Sequence, residues 1–237
     1  MMKFKDFLSK KLKLQTHKEL NPKLWKNEEL NDKVRRRLIN LGMYFVLWCD
    51  FDQKDIIDIV LTGANANYNY TDLSDLDVHV IMDKEKMDCE KFIDEYISDK
   101  KTLWSLKHDI KVEGYPVELF VQGDKDPTPA GQGVYSLFDK KWIKKPEYQE
   151  VDTSSVYFKK KLFSLIKQIE FFIEHDISDL EKLKEFKEKL KQMRSSGLKK
   201  EGEYSIENLL YKELRNEGYL DKFTDHYNKA IDKKFSL

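Results

Sequence analysis

Residues 61–83 read LTGANANYNYTDLSDLDVHVIMD, and this stretch decides the fold. A hydrophobic run, Ile56 to Leu61, leads into it and stops at a small-residue turn, Gly63-Ala64. A polar loop follows. The chain then re-enters an apolar run that carries Asp75 and Asp77 at i and i+2. Successive side chains of a strand point to opposite faces, so this spacing sets both carboxylates on one face. Leu76, Val78, Val80 and Met82 take the other face, as a core demands. Two carboxylates a few ångströms apart repel unless something cationic neutralises them, and a hard divalent ion is the usual solution.

Outward from this stretch, strands are expected over Ile56–Thr62, Leu76–Met82, Leu106–Val112 and Val117–Gln122. Glu113-Gly114-Tyr115-Pro116 reads as a hairpin turn between the last two. A helix over Met87–Ser98 separates the second strand from that hairpin. On the last strand Val117, Leu119 and Val121 face one way and Glu118 the other. A lone carboxylate in so apolar a strand points to function, although an edge strand can carry one harmlessly. His79 shares the face of Asp75 and Asp77, either as a partner of the site or as a structural histidine.

Gly63-Ala64, a spacer, and then Asp75-Leu76-Asp77-Val78 resemble the nucleotidyltransferase signature of the DNA polymerase β-like superfamily. That pattern is Gly-Ser or Gly-Gly, a spacer, and Asp-x-Asp, with a third carboxylate on a later strand. Glu118 matches the third position. The resemblance implies a metal-dependent transfer of an NMP from an NTP to an acceptor hydroxyl. It implies two Mg²⁺ or Mn²⁺ ions on Asp75, Asp77 and Glu118, loaded together with the NTP. It also implies nucleotide contacts from Gly63, Ala64, Asn65, Ser74, Tyr135 and Ser136, with Tyr135 stacking on the base. Two departures stand out. Ala64 lacks the usual hydroxyl, and Glu118 is one methylene longer than the commoner Asp. A second resemblance lies in Leu20–Trp25, Ala66–Tyr70 and Glu207–Tyr219, which look like nucleotidyltransferase-like proteins of tailed bacteriophages. It implies a place in a host bacterial cytoplasm and nothing about substrate.

Composition sets the limits. With 237 residues, 40% of them hydrophobic, the chain can form an ordinary domain and a smaller one. Formal net charge is zero but unevenly spread. Residues 1–37 carry twelve basic and five acidic residues, residues 50–126 nine and nineteen, and residues 138–167 eight and four. An acidic centre between basic flanks suits a polyanion held over a cation site, and equally an ordinary solvated surface. The Lys140, Lys141, Lys144, Lys145 cluster around Trp142 offers charge beside an aromatic ring, a contact for an acceptor or a solvated loop. An RNA or tRNA 3′ end is the favoured acceptor. A protein or small molecule, or a nucleotide-binding module without catalysis, is the alternative. Cys49 and Cys89 make no disulfide framework, which points to a reducing compartment. No run is long enough for a membrane span and no signal-peptide core is present, so a cytoplasmic protein without a membrane partner is expected. The oligomeric state is left open.

The expected fold is α/β of the α+β kind: a small mixed-sheet core, with helices before it and a helical subdomain after it. The expected divisions are 1–49, an N-terminal helical segment; 50–150, the catalytic core; and 151–237, the C-terminal helical subdomain. Phe4, Phe7, Leu8 and Leu12 recur at helical spacing, so the start reads as a docking helix. From Asn31 to Cys49, Val34, Leu38, Leu41, Phe45 and Leu47-Trp48 make the apolar stripe of a longer helix. Arg35, Arg36 and Arg37 in its first turns oppose the macrodipole; either a phosphate offsets them, or they point to solvent or pair with local Glu28 and Glu29, the favoured reading. Beyond Asp152, helices are expected over Tyr157–Glu174, from a Ser178–Glu181 capping box to Ser195-Ser-Gly197, from a Ser205 cap, and near Leu220–Ile231 after Gly218.

Overall fold

The structure, a computed structural model, describes residues 3–83, 93–126 and 132–236. It divides into two compact units. One joins residues 1–15 to 149–237, and the other spans 16–148. The expected N-terminal segment 1–49 is therefore not one body. Its first fifteen residues pack with the last helices, and the rest belongs to the sheet.

Strand alternation builds the second unit. Two-residue strands β1 (Trp25–Lys26) and β2 (Glu29–Leu30) form a small ribbon. Helix α2 (Asp32–Trp48) follows α1 (Phe4–Leu8) of the other unit. Asn31 caps α2 by accepting from Lys33 N. Asp32 supplies an anion to two of its three arginines. It pairs with Arg36 at 2.7 Å and Arg35 at 3.0 Å, and the Arg35 hydrogen bond holds its carboxyl down at about 2. Val34, Leu38, Phe45 and Val46 are buried, while Leu47 is exposed, one position off the stripe.

The main sheet has six strands in the order β5-β6-β4-β3-β7-β8. They are β3 (Ile56–Thr62), β4 (Leu76–Met82), β5 (Lys111–Val112), β6 (Tyr115–Gly123), β7 (Val134–Ser136) and β8 (Lys141–Lys144). Only β4 and β6 run parallel; the other pairs are antiparallel. A parallel pair needs a crossover, and the described part of it holds α3 (Ile93–Lys107). The sheet is thus the mixed one expected. One difference lies in α3, which takes Leu106 and Lys107 from the expected strand and leaves it only Lys111–Val112. Ile93, Ile97 and Trp104 fall on one helical face and are buried, whereas Leu106 is 78% exposed. The beginning of the expected Met87–Ser98 helix lies outside the described residues. The core packs on the face of Leu61, Leu76, Val78, Val80 and Leu119, with Leu38 and Phe45 of α2.

The other unit is helical, with α1, α4 (Val156–Glu174), α5 (Leu180–Glu201), α6 (Ile206–Asn216) and α7 (Tyr219–Phe235). Phe7 is fully buried beside Phe163, which makes α1 a docked helix. The strap after it is tied down by Glu213, whose carboxylate accepts from Lys13 N and Leu14 N at 2.8 and 2.9 Å. Ser155 and Ser205 cap α4 and α6. Asp179, not Ser178, caps α5 by accepting from Glu181 N and Lys182 N. Nor does α5 stop at Ser195-Ser-Gly197. Gly197 lies inside it, at a crossing where a Cβ would meet Ser205 Oγ at 2.7 Å. No described helix is long and apolar enough to cross a membrane.

Candidate active site

Sheet register assembles the acidic residues. Thr62 of β3 lies opposite Asp77 of β4, and Asp77 lies opposite Glu118 of β6. Residues in register share a face, so Asp77 and Glu118 project side by side. Asp75 stands just before β4. One carboxylate oxygen from each of Asp75, Asp77 and Glu118 falls within 4.8 Å of the others, and all three residues are half-buried. Three carboxylates at this spacing form a hard-oxygen donor set of the kind that holds Mg²⁺ or Mn²⁺. Asp109, an acidic residue on the N-terminal side of the β5–β6 hairpin, is exposed and paired with Lys111 at 3.2 Å.

The turn before the site explains its glycine. Gly63 sits at φ +73°, and a Cβ there would come within 1.7 Å of Asp77 Oδ2. Any side chain would displace the carboxylate, so Gly63 is required by Asp77 itself as well as by its left-handed backbone. Ala64 opens a single 3₁₀ turn, Ala64–Ala66, and is almost buried.

Asn65 is a correction. It was expected to contact phosphate, but its side chain is fully buried and committed. Its Oδ1 accepts from Asn21 Nδ2 and its Nδ2 donates to the Asp75 carbonyl, both at 2.8 Å. Its own carbonyl accepts from Trp25 Nε1 at 2.7 Å. Asn65 therefore positions the Asp75 peptide. Ser74 is buried too, and its Oγ accepts from Thr71 N at 2.9 Å, closing the turn that delivers Asp75.

Tyr135 and Ser136 are further corrections. Tyr135 is 2% exposed and lies on the core face of the sheet, edge-on to Trp25 and Trp142 at 5.0 and 5.1 Å. No face of the ring is left for a base. Ser136 is fully buried, and its Oγ accepts from Asp139 N at 3.0 Å, fixing the β7–β8 turn. The lysines around Trp142 are engaged locally. Lys140 pairs with Asp32, Lys141 with Asp139 and Lys145 with Glu28. Trp142 itself stacks on Trp25 at 4.8 Å.

Beyond the carboxylates, the same sheet face carries His79, Phe120 and Gln122. His79 Nδ1 lies 2.6 Å from Gln122 Oε1, and the ring stacks on Phe120 at 4.5 Å. Burial pushes the His79 pKa down from its ordinary value, so the neutral ring is favoured. These residues, with Thr62, Val134 and Ile143, line a pocket of about 410 Å³. Lys101 of α3, which nothing in the sequence singles out from the charged run around it, reaches Glu118 Oε2 at 3.2 Å.

No protein-family description matches the chain, and no curated protein matches it. Among solved structures, the STING-associated CdnE c-di-GMP synthase from Capnocytophaga granulosa is matched at 12% identity, over 86% of this chain and 84% of that one. The TM-score is 0.23, too low for the match to carry an argument. The α+β fold and the acidic triad stand on the chain's own strands and distances.

Proposed function

We propose that the chain is a metal-dependent nucleotidyltransferase that moves an NMP from an NTP to an acceptor hydroxyl. The observation that carries this reading is the convergence of Asp75, Asp77 and Glu118 on one sheet face, their oxygens within 4.8 Å. So many carboxylates side by side are costly without cations, and the oxygen donor set fits two hard ions. When bound, such a pair activates the attacking oxygen and neutralises charge on the transferred and leaving phosphates.

The residues divide the work. Asp75 and Asp77 would hold the metal, and Asn65 fixes the Asp75 peptide. Gly63 lets the Asp77 carboxylate lie against the turn and keeps that turn open to the triphosphate, with Ala64 behind it. Glu118, on the acceptor side, completes the donor set and accepts the proton of the acceptor hydroxyl. The acceptor oxygen bonds to the α-phosphorus as the bond from that phosphorus to the β-phosphate bridging oxygen breaks, and pyrophosphate leaves.

For the acceptor, a small molecule has specific support. The 410 Å³ pocket is lined by His79 and Phe120, two residues beyond Asp77 and Glu118 on their own sheet face, and mixes apolar with polar side chains such as Gln122 and Thr62. An RNA 3′ end rested on the basic flanks, and three of the four lysines around Trp142 have local acidic partners. The test is to incubate the protein with Mg²⁺ or Mn²⁺, each α-labelled NTP, and host RNA or lysate. Label in a small molecule supports the pocket reading. Label in RNA or protein redirects the acceptor. No transfer with any NTP leaves a nucleotide-binding module without catalysis.

A further inference from the structure

We propose that Lys101 is a resident cation that makes metal loading of the triad depend on the nucleotide. The claim rests on the reading of Asp75, Asp77 and Glu118 as a metal site, and it concerns a residue that this reading leaves unused. Lys101 lies on α3, in the crossover between β4 and β6, and its ammonium stands 3.2 Å from Glu118 Oε2. The same ammonium sits 3.5 Å from the centroid of the Phe120 ring. Phe120 is two residues beyond Glu118 and presents its other neighbour, His79, in a stack. Two independent contacts, a carboxylate and an aromatic ring, thus hold one charge against the acceptor-side ligand. The Lys101 side chain is 29% exposed and that of Glu118 42%, so the pair is half-buried, with the ring contact as its second anchor.

The consequence is competition. Glu118 faces two kinds of cation, the lysine ammonium already on it and a divalent ion shared with Asp77. A positive charge a few ångströms from an incoming ion raises the cost of binding it. A triphosphate brings several negative charges and restores the balance. Lys101 therefore disfavours ions on the bare triad and favours the complete set of ions and nucleotide. Once an ion takes Glu118, the ammonium is free to turn toward the phosphate charge. Lys101 is here a positioning residue, acting through Glu118.

The test uses Mn²⁺ as probe, titrated by electron paramagnetic resonance into the full chain, with and without a non-hydrolysable NTP. Lys101→Met keeps the stem and the ring contact but removes the charge; Lys101→Arg keeps the charge. The expected result is that Lys101→Met binds Mn²⁺ without nucleotide about tenfold or more tighter than the parent. With nucleotide the gap should narrow, and Lys101→Arg should behave as the parent. Thermal melting of both variants checks folding. Equal nucleotide-free affinity in parent and Lys101→Met, with binding still lost in Asp77→Asn, overturns this inference and leaves the metal site standing. Binding in no variant, with or without nucleotide, overturns the metal site and this inference together.

Discussion

The two faces of the six-stranded sheet are made by the same strands, residue by residue in alternation, and they differ completely. On one face Leu76, Val78, Val80 and Leu119 are at most 2% exposed and pack under α2. On the other, Asp77, His79, Glu118, Phe120 and Gln122 are half-buried and carry charge, hydrogen bonds and a pocket. The core face fixes where the strands lie, and that register sets Asp77 beside Glu118. Packing on one side therefore aims the chemistry on the other.

The widest separation between the faces should come from neighbouring substitutions. Asp77→Asn would remove a ligand of the proposed metal site and is expected to lower transfer roughly 10³-fold, since such charge stabilisation is worth several kcal/mol. It should leave the fold intact, and relief of carboxylate repulsion should hold or raise the melting temperature without metal. Leu76→Ala, one residue away, should do the reverse. It should cost about 2–5 kcal/mol of stability by opening a cavity, while folded protein keeps its transfer rate. Assay of both variants by denaturation and turnover breaks the comparison if each loses the same property.

Gly63→Ala should damage both faces at once. The Cβ would collide with Asp77 Oδ2 at 1.7 Å, and the backbone sits at φ +73°. A loss of about 2–4 kcal/mol in chemical denaturation is expected from overpacking and strain, together with loss of Mn²⁺ binding. Normal stability and binding would mean that the Asp77 carboxylate does not lie against the turn.

Glu118 offers a graded test. Glu118→Ala should be nearly inactive. Glu118→Asp, shorter by one methylene on a backbone set for Glu, should lose about tenfold in kcat. Unchanged turnover in both variants would make Glu118 a harmless strand charge.

The smallest effect concerns pH. Burial lowers the His79 pKa below its ordinary 6.5. For a base shifted down, the folded state favours the neutral ring. The stability that rests on His79 is therefore present above 6.5 and is lost as pH falls through the lower folded value. Melting temperature should decline in that window, and His79→Gln should flatten the decline. An unchanged slope would place His79 in a wetter setting than its stack on Phe120 implies.

What was legible in the sequence was what rests on local period. The alternation around Asp75 and Asp77, the parity of Glu118 and the stripe of α2 all appear where long enough runs repeat. Strands β7 and β8 escaped because three or four residues show no period, and the pairing of β7 with β3, and of β8 with β7, is tertiary. That omission placed Tyr135 and Ser136 at the nucleotide instead of in the core and a turn. Asn65 looked like a phosphate donor because the buried amide of Asn21, more than forty residues away, is invisible along the chain. Lys101 was hidden for the same reason. Its partner, Glu118, comes from β6, seventeen residues on.

The central claim is that Asp75, Asp77 and Glu118 hold two ions together with a nucleotide. A crystal grown with Mn²⁺ and a non-hydrolysable NTP, measured at the manganese absorption edge, tests it most directly. The account predicts two anomalous peaks about 4 Å apart, both touching Asp75 and Asp77 and one also touching Glu118, with the triphosphate at the Gly63-Ala64 turn. Manganese bound elsewhere, or a triad without manganese in crystals that contain the nucleotide, would contradict it.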